Sequence, residues 1–296
     1  MATQLDQATV ADKLIAPPVV DDRITQIRPV SGRPRLDVRE LWHFRELLGI
    51  FVWRDLAVRY KQTVVGVAWA IFQPVLIALI YAALFGRFGK FPSAGVYYPI
   101  FVFGGLLPML YFSSSLSTGA SCNVANVNLV TNVYFPRLLL PLGAILTPVV
   151  DFLLSLVVLI GFMIVTGEYP ASVWQALLAP VWLVLTVVAV LGPVLLLSAV
   201  NVRYRDVPYV IPVFLQVMPF LSGVVFAIDS SVPERWQRLL FLNPMTTAIA
   251  GWRWSIFGTP LPSLYHAMLG ITVALVLIVV GFFYFRRAEP KFADQI

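Results

Sequence analysis

The sequence predicts an all-α integral membrane protein with six membrane-spanning helices, an N-terminal amphipathic interface helix and a re-entrant segment before the last span. Three observations support this fold class. Of the 296 residues, 59% are hydrophobic and only 12% are charged, about half the charged fraction of a soluble domain. Apolar runs long enough to cross roughly 30 Å of hydrocarbon recur along the chain. Most Lys and Arg residues flank these runs on one side.

The chain begins with a polar segment and a predicted interface helix. Residues 1–37 mix Asp, Arg and Pro with few large apolar residues, which is typical of a mobile tail. Residues 38–62 form the interface helix, whose surface is mostly apolar. One narrow stripe of it is basic, formed by His43, Arg54 and Lys61. Asp55 and Arg59 are four residues apart and can pair. Such a helix suits either a membrane-surface anchor or a docking surface for a cytoplasmic partner.

Residues 63–286 contain the six predicted spans. Each is an apolar run of about 20 to 30 residues bounded by charged or Gly- and Pro-rich stretches. The spans lie at about 64–85, 97–118, 138–166, 173–200, 207–228 and 263–285. The apolar stretch within 229–262 is too short to cross, so this segment is predicted to be re-entrant on the extracytoplasmic side. Asp151 is the acidic residue inside a span, where a structural, hydrogen-bonded role competes with a place on a transport path.

The distribution of positive charge predicts the orientation. Six spans place both termini on the same side. Of the 21 Lys and Arg residues, sixteen lie on that side and five on the other. The positive-inside rule therefore predicts cytoplasmic termini, with 287–296 as the cytoplasmic C-terminal tail. The same rule explains the net charge of +6, so the charge does not indicate a nucleic-acid partner.

Several function classes are disfavoured by what the sequence lacks. It has no G-x-x-x-x-G-K-[ST] motif, so the chain is not expected to hydrolyse ATP. The lone Cys122 excludes an internal disulfide and a cysteine-based metal cage. No pair of acidic residues lies at the end of a span, which disfavours an enzyme acting on polyprenyl-linked sugars. We therefore predict no catalytic, metal-binding or cofactor-binding residue in this chain.

Four stretches along the chain are distinctive, namely "RDLAVRYKQTVVGVAWAIFQPVL" (54–76), "NLVTNVYFPRLLLPL" (128–142), "NVRYRDVPYVIPVFLQV" (201–217) and "LNPMTTAIAGWRWSIFG" (242–258). In the same order, they resemble stretches of the type-2 ABC exporter permeases that move cell-surface polysaccharides such as O-antigen, capsule-type glycans and teichoic acids. The resemblance covers about residues 40–285. It implies a multi-pass transport subunit of the bacterial inner membrane that exports a polysaccharide linked to polyprenyl pyrophosphate.

The resemblance also implies partners. Two copies of this chain would pair with two copies of a separate ATPase, which would bind ATP and Mg²⁺. The interface helix and a coupling helix in the 121–136 loop would contact that ATPase. The residues predicted for this docking and coupling are Arg54, Asp55, Arg59, Lys61, Asn126, Asn128 and Asn132.

Two further sets of residues are candidates for contact with the substrate. Cations near the cytoplasmic interface suit a pyrophosphate, although contacts with lipid headgroups or with the ATPase are alternatives. The residues predicted for a cytoplasmic gate or for the lipid pyrophosphate are Arg59, Lys61, Arg137, Arg203, Arg205 and Asp206. Sugars carry hydroxyls around apolar C–H faces, so their path should offer aromatic side chains and few fixed charges. The residues predicted for the glycan path are Tyr98, Phe101, Phe257 and Asp151, with an interfacial aromatic belt as the alternative for the three aromatics.

Other transport functions stay open at this point. An ABC permease for a drug or a small lipid would share most of these features. A gradient-driven carrier is less favoured, because the chain shows no internal repeat and only one acidic residue at span depth.

Overall fold

The computed structural model describes residues 38–61, 64–168, 170 and 172–295. The predicted tail at 1–37, the last residue of the predicted interface helix at 62 and the first residue of the permease segment at 63 lie outside these residues. Within the described part of the chain, every regular element is helical. The predicted all-α class is therefore confirmed.

The first half of the described chain contains seven α-helices. They are α1 (Val38–His43), α2 (Arg45–Tyr60), α3 (Val64–Tyr81), α4 (Tyr98–Ala125), α5 (Val127–Asn132), α6 (Leu139–Leu146) and α7 (Val149–Thr166). A π-helical stretch, Ala82–Phe88, extends α3. Together α1 and α2 occupy the position of the predicted interface helix.

The second half contains eight α-helices within the described residues. They are α8 (Val173–Leu177), α9 (Ala179–Arg203), α10 (Val207–Leu221), α11 (Ile228–Ser231), α12 (Glu234–Phe241), α13 (Pro244–Phe257), α14 (Leu264–Ala288) and α15 (Phe292–Gln295). A 3-10 turn, Glu289–Lys291, joins α14 to α15.

Among the described residues, five helical segments are long and apolar enough to cross a bilayer. They are Ile71–Phe88, Tyr98–Ala125, Leu139–Thr166, Val173–Arg203 and Leu264–Lys291. The predicted span at 207–228 is instead the apolar helix α10, whose 15 residues extend about 22 Å at 1.5 Å per residue. Helix α10 ends at Leu221 because Gly223 adopts a left-handed conformation, φ 68°, and the Val224 N–H donates back to Pro219 O at 2.9 Å. The carbonyls that follow the helix have partners on α13. Those of Gly223 and Val224 accept hydrogen bonds from Arg253.

Helix α4 is the central helix of the fold and is buried along most of its length. It continues to Ala125, beyond the predicted end of this span at 118. The Ser-, Thr- and Asn-rich sequence after 118 suggested a loop, but its amides connect two helices. Asn123 Nδ2 donates to Ser198 O at 3.3 Å, and Asn201 Nδ2 donates to Ala120 O at 3.0 Å. These reciprocal bonds hold α4 against α9, as polar side chains often do between membrane helices.

Helices α9 and α14 pack closely, and two glycines permit their approach. A Cβ atom at Gly192 would overlap the backbone at Leu277, and a Cβ atom at Gly281 would overlap the Gly192 carbonyl. Small residues at such crossings let membrane helices come within van der Waals contact.

The third predicted span, 138–166, is divided into α6 and α7. Pro148 has no backbone N–H, so it interrupts the helical hydrogen bonding at this point. The hydroxyl of Thr147 donates to Gly143 O at 3.0 Å, which satisfies one carbonyl at the end of α6. Because α7 begins at Val149, Asp151 lies in its first turn. A carboxylate is favourable there, at the positive end of the helix dipole.

The interface helix α2 packs its apolar face across α6. Phe51 is 5% exposed and its ring meets that of Phe135 edge to face. A Cβ atom at Gly143 would lie at ordinary contact distance from Phe51 and Leu48, so the two helices touch here. Large apolar side chains elsewhere on the helices α1 and α2 are exposed, namely Trp42 on α1 and Ile50, Trp53 and Val58 on α2. An apolar face left uncovered suits the membrane interface.

Candidate functional site

The C-terminal end of α2 is attached to α7 by an ion pair. The Arg59 guanidinium pairs with the Asp151 carboxylate, and the Tyr60 hydroxyl donates to the other oxygen of that carboxylate. Both side chains of the ion pair are about one-third exposed or less. Asp151 is therefore bound to the interface helix and does not stand alone within a span.

The predicted pairing of Asp55 with Arg59 is wrong. Asp55 accepts hydrogen bonds from its neighbour Arg54, at 3.0 Å from Nε and 2.8 Å from Nη2. Helical periodicity explains the difference, because Arg59 shares a face with Leu48 and the other residues that pack on α6. Arg59 is thereby directed toward α7, whereas Arg54 is on a more exposed side.

Tyr60 is a hydrogen-bond donor at physiological pH. Burial, followed by the hydrogen bond to Asp151, raises the pKa of Tyr60 to about 12. The phenol of Tyr60 consequently stays protonated. It donates a hydrogen bond to the Asp151 carboxylate and brings no second negative charge next to it.

A groove lies beside this ion pair, between α2, α3, α4 and α7. We call it the Asp151 groove, and its volume is about 540 Å³. Its polar lining includes Arg59, Tyr60, Gln73, Ser114, Ser117 and Asp151. Trp69, which is 55% exposed, contributes an aromatic wall. The volume is within the usual range for small-molecule sites, roughly 300–1,000 Å³.

A second cluster surrounds Arg253 near the N-terminal end of α4. Arg253 is 4% exposed. Its Nε donates to Phe101 O at 3.1 Å, its Nη1 donates to Gly223 O at 2.6 Å, and its Nη2 donates to Val224 O. The guanidinium carbon lies 3.6 Å from the centre of the Phe101 ring. Backbone carbonyls and an aromatic face together stabilise the buried charge.

Three of the four predicted glycan-path residues lie around this cluster. The Tyr98 hydroxyl donates to Val225 O at 2.6 Å, and its ring contacts that of Phe101. The half-buried Phe257 lies so close to Gly104 that a Cβ atom there would overlap its ring. Asp151 is not part of this cluster, because its carboxylate is bound to Arg59 and Tyr60 at the end of α2.

The predicted coupling residues of the 121–136 loop lie on the end of the fold that carries α2. Asn126 marks the break between α4 and α5, and its Nδ2 donates back to Cys122 O at 2.8 Å. Asn128 and Asn132 are exposed on α5. Lys61, which follows α2, is exposed as well. The exposure of these three residues is compatible with the predicted docking role, and we call them together the candidate docking surface.

Arg137 is engaged by the C-terminal segment. Its Nη1 donates to Glu289 O, and its guanidinium carbon lies 5.8 Å from the centre of the Phe292 ring. Phe292 is 1% exposed and packs against Phe285. Arg137 therefore connects the loop after α5 to the segment that follows α14.

The remaining candidates for a gate or a pyrophosphate site lie at the exposed turn between α9 and α10. Arg203, Arg205 and Asp206 are all exposed. The guanidinium carbon of Arg203 lies 5.2 Å from the centre of the Tyr204 ring. This turn adds positive charge to the end of the fold that carries α2.

Sequence reasoning missed several residues of both clusters. Ser113, Ser114, Ser117 and Ser155 all line the Asp151 groove, together with Gln73. The signal was present as "SSSLS" at 113–117, a hydroxyl-rich run within an apolar span. Arg253 is one of the five Lys and Arg residues that the charge count assigns to the outer side, although it is buried. A lone Arg in an otherwise apolar segment could have indicated an interior role.

Comparison with known proteins identifies relatives along most of the chain. Residues 46–257 match the ABC-2 type transporter family. The O-antigen export system permease protein RfbA of Myxococcus xanthus is 30% identical over 262 residues, which cover 88% of this chain and 98% of the relative. The polysialic acid transport protein KpsM of Escherichia coli is 26% identical over 200 residues, covering 66% and 75%. The capsule polysaccharide export inner-membrane protein CtrC of Neisseria meningitidis is 24% identical over 245 residues, covering 80% and 89%.

Proposed function

Because the chain belongs to the ABC-2 type transporter family, we propose that it is the membrane permease subunit of an ATP-driven exporter of a cell-surface polysaccharide. The observation that carries the proposal is the similarity along 98% of the O-antigen permease of Myxococcus xanthus. Relatives named for polysialic acid transport and for capsule polysaccharide export support the same substrate class.

In the proposed topology, the protein crosses the bacterial inner membrane six times with both termini in the cytoplasm. Helix α10 and the turn at 222–227 provide the additional crossing, and α12 and α13 form the re-entrant segment on the outer side. The positive-inside rule supports this orientation, because Arg54, Lys61 and Arg203 lie at the end of the fold that carries α2.

The proposed exporter contains two copies of this chain and two copies of a separate ATPase subunit. The absence of a nucleotide-binding motif in the sequence supports this division of labour, in which ATP and Mg²⁺ bind to the partner. The ATPase would dock on the exposed surface formed by Lys61, Asn128 and Asn132, with Arg54 and Asp55 beside it on α2.

The proposed substrate is a glycan attached to a polyprenyl pyrophosphate. Its anionic group needs cations near the cytoplasmic membrane surface. The exposed Lys61, Arg203 and Arg205 are suitable for this role. Arg59 and Arg137 are less suitable, because both are only partly exposed.

The proposed function can be tested by deletion and reconstitution. Deleting the gene should abolish display of the glycan at the cell surface and leave lipid-linked glycan inside the cell. The purified chain should form a stable complex with the ATPase encoded beside it, and proteoliposomes containing both should transport the glycan only when ATP is hydrolysed. Normal surface display in the deletion strain, or transport without the ATPase, would contradict the proposal. Transport of small lipids alone would indicate the alternative substrate class.

A further inference from the structure

We propose that the Asp151 groove is a binding site for uncharged sugar units of the transported glycan and excludes its pyrophosphate. This inference rests on the proposed export function. It assigns a ligand class to the groove from three observations, namely its charge, its lining and its volume.

The charge of the groove argues for an uncharged ligand. Arg59 and Asp151 neutralise one another, and Tyr60 donates its proton to the same carboxylate. A pyrophosphate entering here would have to break this pair or bring several negative charges close to Asp151. A sugar hydroxyl can donate to the free lone pairs of the carboxylate without disturbing the pair, since an ionised carboxylate offers about four acceptor sites.

The lining of the groove matches the surface of a sugar. Ser114, Ser117 and Gln73 offer groups that both donate and accept hydrogen bonds, as sugar hydroxyls do. Trp69 offers an exposed aromatic face on which the apolar C–H face of a pyranose can lie. The groove therefore offers both polar groups and an apolar aromatic face. A sugar ring likewise carries hydroxyls around apolar C–H faces.

The volume and position of the groove also fit. About 540 Å³ accommodates a short run of sugar units. The groove lies where the interface helix meets α3 and α7, so an occupant would contact the element proposed to face the ATPase. A bound sugar would therefore contact the interface helix at the point where Arg59 attaches it to α7.

The test uses the full chain in complex with its ATPase, embedded in lipid nanodiscs. One probe is the oligosaccharide released by mild acid from the host cell's own surface polysaccharide, and the other is inorganic pyrophosphate. Calorimetric titration measures the affinity for each. In the wild-type protein the oligosaccharide should bind and pyrophosphate should not compete with it.

The aromatic wall is tested with a matched pair of variants. Trp69→Ala should weaken oligosaccharide binding at least tenfold. Trp174→Ala replaces a similarly exposed Trp, 79% exposed, outside the groove, and should bind like the wild type. Gln73→Leu and Ser117→Val change other exposed residues of the groove and should each weaken binding at least threefold without affecting folding.

The charge argument is tested by neutralisation. Asp151→Asn leaves Arg59 as an unpaired cation, so pyrophosphate binding should appear and oligosaccharide binding should fall at least tenfold. The double variant Arg59→Gln/Asp151→Asn is neutral again and should lose the pyrophosphate binding. Pyrophosphate binding by the wild-type groove that Arg59→Gln abolishes would overturn the inference.

The outcomes separate this inference from the proposed function. Unchanged oligosaccharide binding in Trp69→Ala, with glycan export intact, would refute the sugar site and leave the exporter proposal standing. Failure of the wild-type complex to export glycan at all would refute the proposed function itself.

Discussion

Arg59 and Asp151 are 92 residues apart in the sequence and form an ion pair between the end of the interface helix and the first turn of α7. The pair lies beside Pro148, where the third predicted span is interrupted. A movement of the interface helix would therefore act directly on α7. This connection offers a physical route by which a partner bound to the interface helix could influence the membrane-spanning helices.

The ion pair should contribute measurably to stability. Arg59→Gln and Asp151→Asn each leave a partly buried charge without its partner, so each should lower the thermal midpoint of the purified permease. A double-mutant cycle should give a coupling of about 0.5–3 kcal/mol, the range for residues in direct contact, with the upper part of that range reduced by solvent screening at this partly exposed pair. Arg54→Gln is the control, because the Arg54–Asp55 pair is more exposed and should contribute less than about 1 kcal/mol. Strictly additive effects of the two single variants would show that the pair does not contribute.

The close contact between Gly105 and Arg253 makes a second prediction. A Cβ atom at Gly105 would overlap the Arg253 guanidinium, so Gly105→Ala should displace it from the carbonyls of Gly223 and Val224. We expect a destabilisation of about 1–3 kcal/mol, as for overpacked interiors. Thermal unfolding of the purified protein measures it.

Gly161 provides the matched control for this substitution. A Cβ atom at Gly161 on α7 would meet no atom within 4 Å. Gly161→Ala should therefore be neutral, or stabilising by up to about 1 kcal/mol, because Ala favours helix over Gly. Equal effects of the two substitutions would mean that the Arg253 contact is not responsible.

The sequence predicted the helical fold class well because apolar length alone indicates a membrane helix. It was less informative where polar residues had interior partners. Asn123 and Asn201 both lie beyond the predicted ends of their spans, at 118 and 200. In the structure each is helical and donates a hydrogen bond to a carbonyl on the neighbouring helix. The interruption at Pro148 was also missed, because Pro is common in membrane helices and does not always break them.

Site residues were hardest to predict where function depends on pairs distant in sequence. Asp151 was recognised as unusual, but its partners are 91 and 92 residues away, at Tyr60 and Arg59. Local spacing instead favoured Asp55 as the partner of Arg59. The aromatic predictions were closer, since Tyr98 and Phe101 lie on consecutive turns of α4 and come together for that reason alone.

The C-terminal segment should be required for correct placement of the docking surface. Phe292 is buried against Phe285 and Arg137, so Phe292→Ala should cost about 3–5 kcal/mol. We also expect reduced stimulation of the ATPase by the surviving folded protein. Phe283→Ala is the control, because Phe283 is 54% exposed on the same stretch of chain. A larger loss of thermal stability in Phe283→Ala than in Phe292→Ala would contradict the packing argument.

The exposed amides of α5 should matter for coupling and not for folding. Asn128→Lys/Asn132→Lys places two cations on this surface, so binding of the ATPase and its stimulation should fall at least tenfold while the thermal midpoint stays unchanged. Asn123→Leu is the opposite case. Its side chain is buried and donates to Ser198 O, so it should destabilise the fold by about 1–3 kcal/mol. Wild-type ATPase stimulation by the double Lys variant would show that α5 does not dock the ATPase, because two long, hydrated ammonium side chains cannot be buried in a close interface without loss of affinity.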